Sequence, residues 1–109
     1  MGKREKKIVR GTSSRPRLVV FRSHQHIYVQ IIDDSSAQTI TSCSTIEPAI
    51  KQQLDSTANT QASKLVGETI GKRLVEKNIQ SVIFDRNGKP YHGRIKAVAE
   101  GARSVGLDF

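Results

Sequence analysis

Cysteine is almost missing from this chain, and with Cys43 alone neither an intrachain disulfide nor a cysteine-built zinc site can form. A reducing compartment suits such a chain. Long apolar runs are missing too: no stretch reaches the length of a membrane span, and the start lacks the apolar segment of a secretion signal. N-myristoylation lacks its Ser or Thr, because Lys6 stands at that place. The sequence therefore reads as a soluble chain already in its working compartment. Acidic residues are scarce at one end. From Met1 to Arg22, Glu5 stands alone against eight basic residues, whereas from Ser23 onward ten basic residues face nine acidic ones. The formal charge of +8 is thus concentrated near the N-terminus and calls for a polyanion as partner. A membrane-surface helix would need an apolar face, and Ile8 and Val9 do not make one, so nucleic acid is the better match. A solvated basic tail without a specific partner is the bland alternative.

With 109 residues, 36% of them hydrophobic, the chain suffices for one domain with a real core. Residues 1–14 are polar, basic (Lys3, Arg4, Lys6, Lys7, Arg10) and end in Gly11-Thr12-Ser13-Ser14, so they are expected to form a flexible arm that orders on RNA. Residues 15–109 are expected to form a single globular RNA-binding domain.

The chain is organised around Arg15 to Gln30, RPRLVVFRSHQHIYVQ. Two short apolar strands flank a polar turn with His24 and Gln25 at its tip. Setting Phe21 opposite Tyr28 and Val20 opposite Val29 gathers Leu18, Val20, Ile27, Val29 and Ile31 on one face. The other face then holds Arg17, Val19, Phe21, His26, Tyr28 and Gln30. Aromatic rings beside cations on a rigid sheet suit unpaired bases and riboses. The same pattern also fits a plain cross-strand aromatic pair.

Further on, Asp33-Asp34-Ser35-Ser36 reads as a turn and Ala37–Ser44 as a third strand of an antiparallel meander. Pro48 sits in the first turn of a short helix, followed by a polar loop to Asn59. Apolar positions at helical spacing predict a helix over 60–77 with Thr60 as N-cap, whose Gly67 and Gly71 would let it approach the sheet closely. Ser81 to Phe84, a continuous apolar run, reads as a strand buried on both faces. Ile95, Val98, Ala99, Ala102 and Val105 share the stripe of a last helix that Gly106 ends. The expectation is an α/β fold of order βββαβα, with helices packed on a mixed sheet whose fourth strand follows a helical crossover.

A second informative stretch, Asp85 to Lys96 or DRNGKPYHGRIK, brings Arg86, Lys89, Tyr91, His92, Gly93 and Arg94 to a strand-to-helix loop. Unpaired amides of a first helical turn, the helix dipole and nearby cations make an anion site there, suited to a ribose phosphate. A plain glycine-led turn with Tyr91 packed on the sheet is the alternative.

These stretches, RPRLVVFRSHQHIYVQIID, CSTIE, KLVGETIGKR, VIFDRNGKPYHGRIKAVAEGAR and the terminal GLDF, resemble the bacterial and plastid type of large-subunit ribosomal protein eighteen over Arg15 to Phe109. The resemblance implies a ribonuclease H-like fold and a non-enzymatic role. It also implies binding of 5S rRNA and its attachment to the large-subunit rRNA in the central protuberance, beside neighbouring 5S-binding ribosomal proteins. On that basis the arm, Arg15, Arg17, Arg22, Ser23, His26, Tyr28 and the loop from Arg86 to Arg94 face RNA, and Phe21 joins them from the hairpin reading. The arm is shorter and less rich in arginine than is usual for that family. The place of work would be the ribosome of a bacterial cytoplasm or plastid stroma, and the free chain a monomer. No cofactor, metal or membrane is expected.

Two other functions compete with this one. A ribonuclease H-like nuclease would need clustered acids for two metal ions, yet Leu18 to Arg22 has none and Asp33, Asp34, Asp85 and Glu68 read as turn or helix-surface residues. His24, His26 and His92 have no acid placed with them and read as ordinary surface histidines. The other rival is a free-standing RNA-binding module or RNA chaperone, which would not sediment with large subunits after a high-salt wash.

Overall fold

The computed structural model describes residues 10–109, so Lys3, Arg4, Lys6 and Lys7 of the expected arm lie outside the described residues. The elements run β1 (Arg17–Arg22), β2 (Ile27–Asp33), β3 (Gln38–Ser44), α1 (Pro48–Lys51), α2 (Thr60–Glu76), β4 (Ile83–Asp85) and α3 (Gly93–Ser104). They build the expected α/β arrangement. The sheet order is β3-β2-β1-β4, with β1 antiparallel to β2 and parallel to β4.

The hairpin adopts the register that its alternation dictates, with Phe21 opposite Tyr28, Val20 opposite Val29 and Leu18 opposite Ile31. Leu18, Val20, Ile27, Val29 and Ile31 are at most 1% exposed and join Val66, Ile70 and Leu74 of α2 and Ile95, Val98 and Ala102 of α3 in one core. Burial of each such side chain is worth about 1.5–3 kcal/mol, so a register slip that turned this set outward would unfold the domain. Val19 lies on the opposite face and is buried as well, set between Gln30 of β2 and Asp85 of β4.

Four details differ from the sequence expectation. Asn59 rather than Thr60 caps α2, its side-chain oxygen accepting the Ala62 amide at 2.9 Å. Ala37 is a turn residue with φ 55° rather than the first residue of a strand. The strand expected at Ser81 to Phe84 is only Ile83–Asp85, half-buried on the sheet edge. Val82 is buried by other means: the C-terminus returns beside it, with Val82 N–H donating to Asp108 O at 3.1 Å and Asp108 N–H donating to Gln80 O at 2.7 Å.

The fourth concerns the helix glycines, which bring α2 against α3 rather than against the sheet. A methyl group at Gly67 would collide with the Val98 carbonyl oxygen, and one at Gly101 with the Lys64 carbonyl oxygen. The two helices therefore touch backbone to backbone.

Part of the β3 edge of the sheet is covered by side chains. Glu47 Oε2 accepts the Ser44 amide at 3.0 Å, while Arg73 Nη1 donates to Ser42 O at 2.5 Å and Arg73 Nη2 to Glu47 Oε1 at 2.6 Å. This ion pair occupies backbone groups of β3 that would otherwise be open to pairing with another strand.

Candidate nucleic-acid interface

The two stretches singled out in the sequence meet at one end of the sheet. In the β1–β2 turn, Ser23 N–H donates to His26 O at 2.9 Å and His26 N–H to Ser23 Oγ at 3.1 Å, which leaves His24 and Gln25 at the tip. Between β4 and α3, Asn87 and Gly88 take φ of 56° and 75°, and Lys89 N–H closes the turn on Arg86 O at 3.1 Å. Two successive left-handed residues are the Asn-Gly signature of a tight primed turn. Arg94, on the first turn of α3, reaches back so that Nη1 donates to Ser23 O at 2.8 Å across 71 residues of sequence. That bond joins the two stretches.

A cleft of about 270 Å³ results, lined by Arg22, Ser23, His24, Lys89 and Arg94. Among the described residues it holds three cations and no carboxylate. Arg22 pairs with Ile27 in the register and so lies on the helix side of the sheet, where it lines a smaller hollow with His92, Gly93 and Arg94 at the start of α3. His92, the N-cap, makes no side-chain capping bond, so the first amides of the helix are left for an anion. Arg86 and Lys89 are both exposed on the turn that leads to α3, and Lys89 lines the larger cleft.

The hairpin side is equally well fixed. Thr45 is fully buried, its Oγ1 accepting the Ile27 amide at 3.1 Å and meeting His26 Nδ1 at 3.0 Å. The imidazole of half-buried His26 is thus oriented through one nitrogen. Its ring lies 6.3 Å from that of half-buried Tyr28, tilted by 59°. Phe21 is 39% exposed and has no ring partner among the described residues, so the structure does not tie it to Tyr28 as an aromatic pair.

Two residues expected at the interface are engaged by other side chains of the fold: Arg17, which is half-buried, and Tyr91, which is 37% exposed. Arg17 bridges Asp34, with Nε donating to Oδ2 at 3.0 Å and Nη2 to Oδ1 at 3.1 Å, and reaches Asp85 Oδ2 from Nη1 at 2.9 Å. Tyr91 turns its ring edge to Phe84 at 6.0 Å and accepts from Arg103 at 3.2 Å, while Phe84 in turn stacks on Phe109 at 5.4 Å. The sequence could not show either, because the partners lie 17 and 68 residues from Arg17 and 12 residues from Tyr91. Arg15 is exposed at the far end of β1, with Nε donating to Val82 O at 3.3 Å.

The root of the arm is tied to the same ion-pair network. Gly11 N–H donates to Asp34 Oδ2 at 2.7 Å, and Asp34 N–H donates to Gly11 O at 3.1 Å. The Arg17 guanidinium, followed by the Gly11 amide, holds the Asp34 carboxyl below the ordinary carboxylate range. A depressed folded-state pKa means stability that is present above the unfolded value and lost as pH falls through the folded one. Asp34→Asn should therefore lower the unfolding free energy by about 1–3 kcal/mol at neutral pH. The gap between variant and parent should close as pH is taken downward from about 4. Urea denaturation across that range checks it, and a gap independent of pH would show that charge is not what Asp34 contributes.

Asp85 and Asp34 are thus bound to one guanidinium rather than arranged around an open cation site. Among the described residues no group of three His, Cys, Asp or Glu side chains is placed to hold a metal ion.

Comparison with known proteins puts this geometry in context. The family described as ribosomal L18 of archaea, bacteria, mitochondria and chloroplast matches residues 2–109. The protein of Thermotoga neapolitana named large ribosomal subunit protein uL18 is 54% identical over 107 residues, covering 98% of this chain and 88% of its own length. The Synechocystis protein of the same name is 54% identical over 99 residues, 91% of this chain and 82% of its own. The protein named uL18c from Cyanophora paradoxa is 54% identical over 108 residues, 98% of this chain and 89% of its own.

Proposed function

This chain belongs to the ribosomal L18 family, and from that premise we propose that it binds 5S rRNA and helps attach it to the large-subunit rRNA in the central protuberance, beside other 5S-binding proteins. It is a structural protein of the large ribosomal subunit and not an enzyme. The observation that carries the finer reading is the cleft in which, among the described residues, Arg22, Lys89 and Arg94 stand together without an acid, at the turn that leads on to His26 and to Tyr28 on the opposite face of the sheet. Three cations around a concave surface fit the phosphate backbone, and the rings fit unstacked bases or riboses.

We assign the RNA contacts to Phe21, Arg22, Ser23, His26, Tyr28, Arg86, Lys89, His92, Gly93 and Arg94, with the arm residues Lys3, Arg4, Lys6, Lys7 and Arg10 and the exposed Arg15. Arg17 and Tyr91 serve as supports. Gly11 to Ser14 stay with the fold in this reading, because Gly11 is bonded to Asp34 and Thr12 N–H donates to Arg15 O at 3.0 Å. The arm that follows RNA then ends near Arg10.

A binding titration tests the proposal. The parent chain should bind 5S rRNA more tightly than an unrelated hairpin RNA of equal length. Tyr28→Ala should weaken 5S binding roughly five- to a hundredfold, the usual worth of one stacked base, and change the unrelated hairpin far less. Equal loss for both RNAs would make Tyr28 a nonspecific contact, and no preference for 5S rRNA in the parent chain would sink the assignment itself.

A further inference from the structure

A second cleft opens on the other flank of the hairpin turn, and its chemistry differs from that of the phosphate-suited one. It measures about 470 Å³ and is walled by Gln25 and His26 on the turn and by Lys51, Leu54, Asp55 and Thr57 on the connection from α1 to α2. That volume lies within the range of roughly 300–1,000 Å³ usual for small-ligand sites. The walls are fastened together: Thr57 Oγ1 donates to Gln25 O at 2.5 Å, and His26 is oriented by the buried Thr45 at 3.0 Å. The cleft shares His26 with the proposed RNA face and so continues it around the turn.

Its charges nearly cancel. Lys51 is balanced by Asp55, whereas the neighbouring cleft has three cations and no acid. A carboxylate on a surface that meets RNA repels phosphate, and it is favourable there only where it accepts hydrogen bonds from a base or ribose. Among the bases, guanine alone offers two adjacent donors, N1–H and N2–H, on its Watson–Crick edge, which matches the two oxygens of a carboxylate. Adenine and cytosine would set a ring-nitrogen lone pair against it, and uracil two carbonyl oxygens.

We infer that this cleft takes one unstacked guanine nucleotide of the bound RNA, with Asp55 reading the N1–H and N2–H edge, Leu54 against the face of the base and Lys51 countering its phosphate. The inference rests on the 5S rRNA reading above and names a specificity residue within it. Asp55 is exposed and makes no ion pair among the described residues, so replacing it leaves the fold alone.

The test uses the full chain, 5S rRNA and kethoxal, which modifies guanines whose N1 and N2 are free. The parent chain should protect at least one unpaired guanine. Asp55→Asn should still bind 5S rRNA but leave that guanine reactive, with affinity lower by roughly five- to a hundredfold, the range of one bidentate base contact. Hypoxanthine at the protected position, which lacks the N2 amine, should weaken the parent and leave Asp55→Asn unaffected. Binding of 5S rRNA without any guanine protection that depends on Asp55 overturns this inference and leaves the proposed function standing. Failure of the parent chain to bind 5S rRNA overturns both. Unchanged protection in Asp55→Asn, with loss only of incorporation into large subunits, would assign the cleft to a protein neighbour and overturn the nucleotide reading.

Discussion

Gly67→Ala should cost this protein much of its stability, although glycine-to-alanine changes inside helices ordinarily stabilise. An alanine in an open helix interior gains about 0.5–1 kcal/mol over glycine. At Gly67 the added methyl group meets the Val98 carbonyl oxygen and crowds the Ala102 amide, both of them backbone atoms of α3. Neither can rotate away, so α2 and α3 must separate along the contact that covers the sheet. Overpacking of this kind costs about 1–3 kcal/mol, and an obstacle made of backbone belongs at the upper end. For a domain of this size such a loss corresponds to a fall in the unfolding midpoint of roughly 10–20 °C. Gly71→Ala supplies the comparison one turn later, because its methyl group meets the Val105 Cγ2 methyl, a side-chain atom that a change of rotamer displaces, and clears the Ala102 carbonyl oxygen at 3.4 Å. It should cost less than Gly67→Ala, about 1 kcal/mol. Thermal unfolding followed by circular dichroism measures both, and a Gly67→Ala variant as stable as the parent would disprove the close backbone contact.

That glycine pair also shows what a sequence does and does not disclose. Small residues one turn apart announce a close approach, but the partner lies on another helix, and the reciprocal Gly101 sits unmarked within an apolar stripe. The hairpin register was legible because alternation of period two admits one arrangement that leaves a purely aliphatic face. Asn59 and Thr60 are adjacent and both competent caps, so only geometry decides between them. The continuous run at Ser81 to Phe84 suggested cover on both faces, whereas the returning C-terminus supplies the burial of Val82, a contact too distant in sequence to anticipate.

The candidate interface divides along the same line. Its residue types were visible as two basic and aromatic stretches, and the sheet end where they converge follows from a strand parallel to β1 leading into the loop. The Arg94 bond to Ser23 that joins them spans 71 residues and was not readable. Arg17 carries the same charge as Arg22, and nothing local marks it as internal. What distinguishes them is that Asp34 and Asp85 flank the outer face at the start of β1, while no acid lines the cleft at its end.

Neutralising the cleft and the arm separately should reveal two independent electrostatic contacts. Arg22 and Lys89 are the cleft cations to replace, because Arg94 also holds the two stretches together and its loss would confound charge with structure. Each lysine or arginine that touches a phosphate contributes about one unit to the dependence of log affinity on log salt. Arg22→Gln with Lys89→Gln should therefore lower that slope by about 2, and glutamine at Lys3, Arg4, Lys6 and Lys7 by about 4. The substitutions avoid Gly11, whose bonds to Asp34 make a deletion through Ser14 an attack on the fold as well as on the charge. The root of the arm and the cleft lie at opposite ends of β1, six residues and thus about 20 Å apart, so the two effects on log affinity should add. They should differ in selectivity. Charge from the arm is available to any RNA, so its loss should weaken 5S rRNA and an unrelated hairpin alike, whereas cations set around a cleft that the Arg94–Ser23 bond holds in shape should favour the RNA that fits it. Filter-binding titrations of both RNAs over a salt series separate the contributions. An unchanged slope for the cleft variant, with affinity reduced, would mean that Arg22 and Lys89 do not meet phosphates and that the charge of the interface resides in the arm.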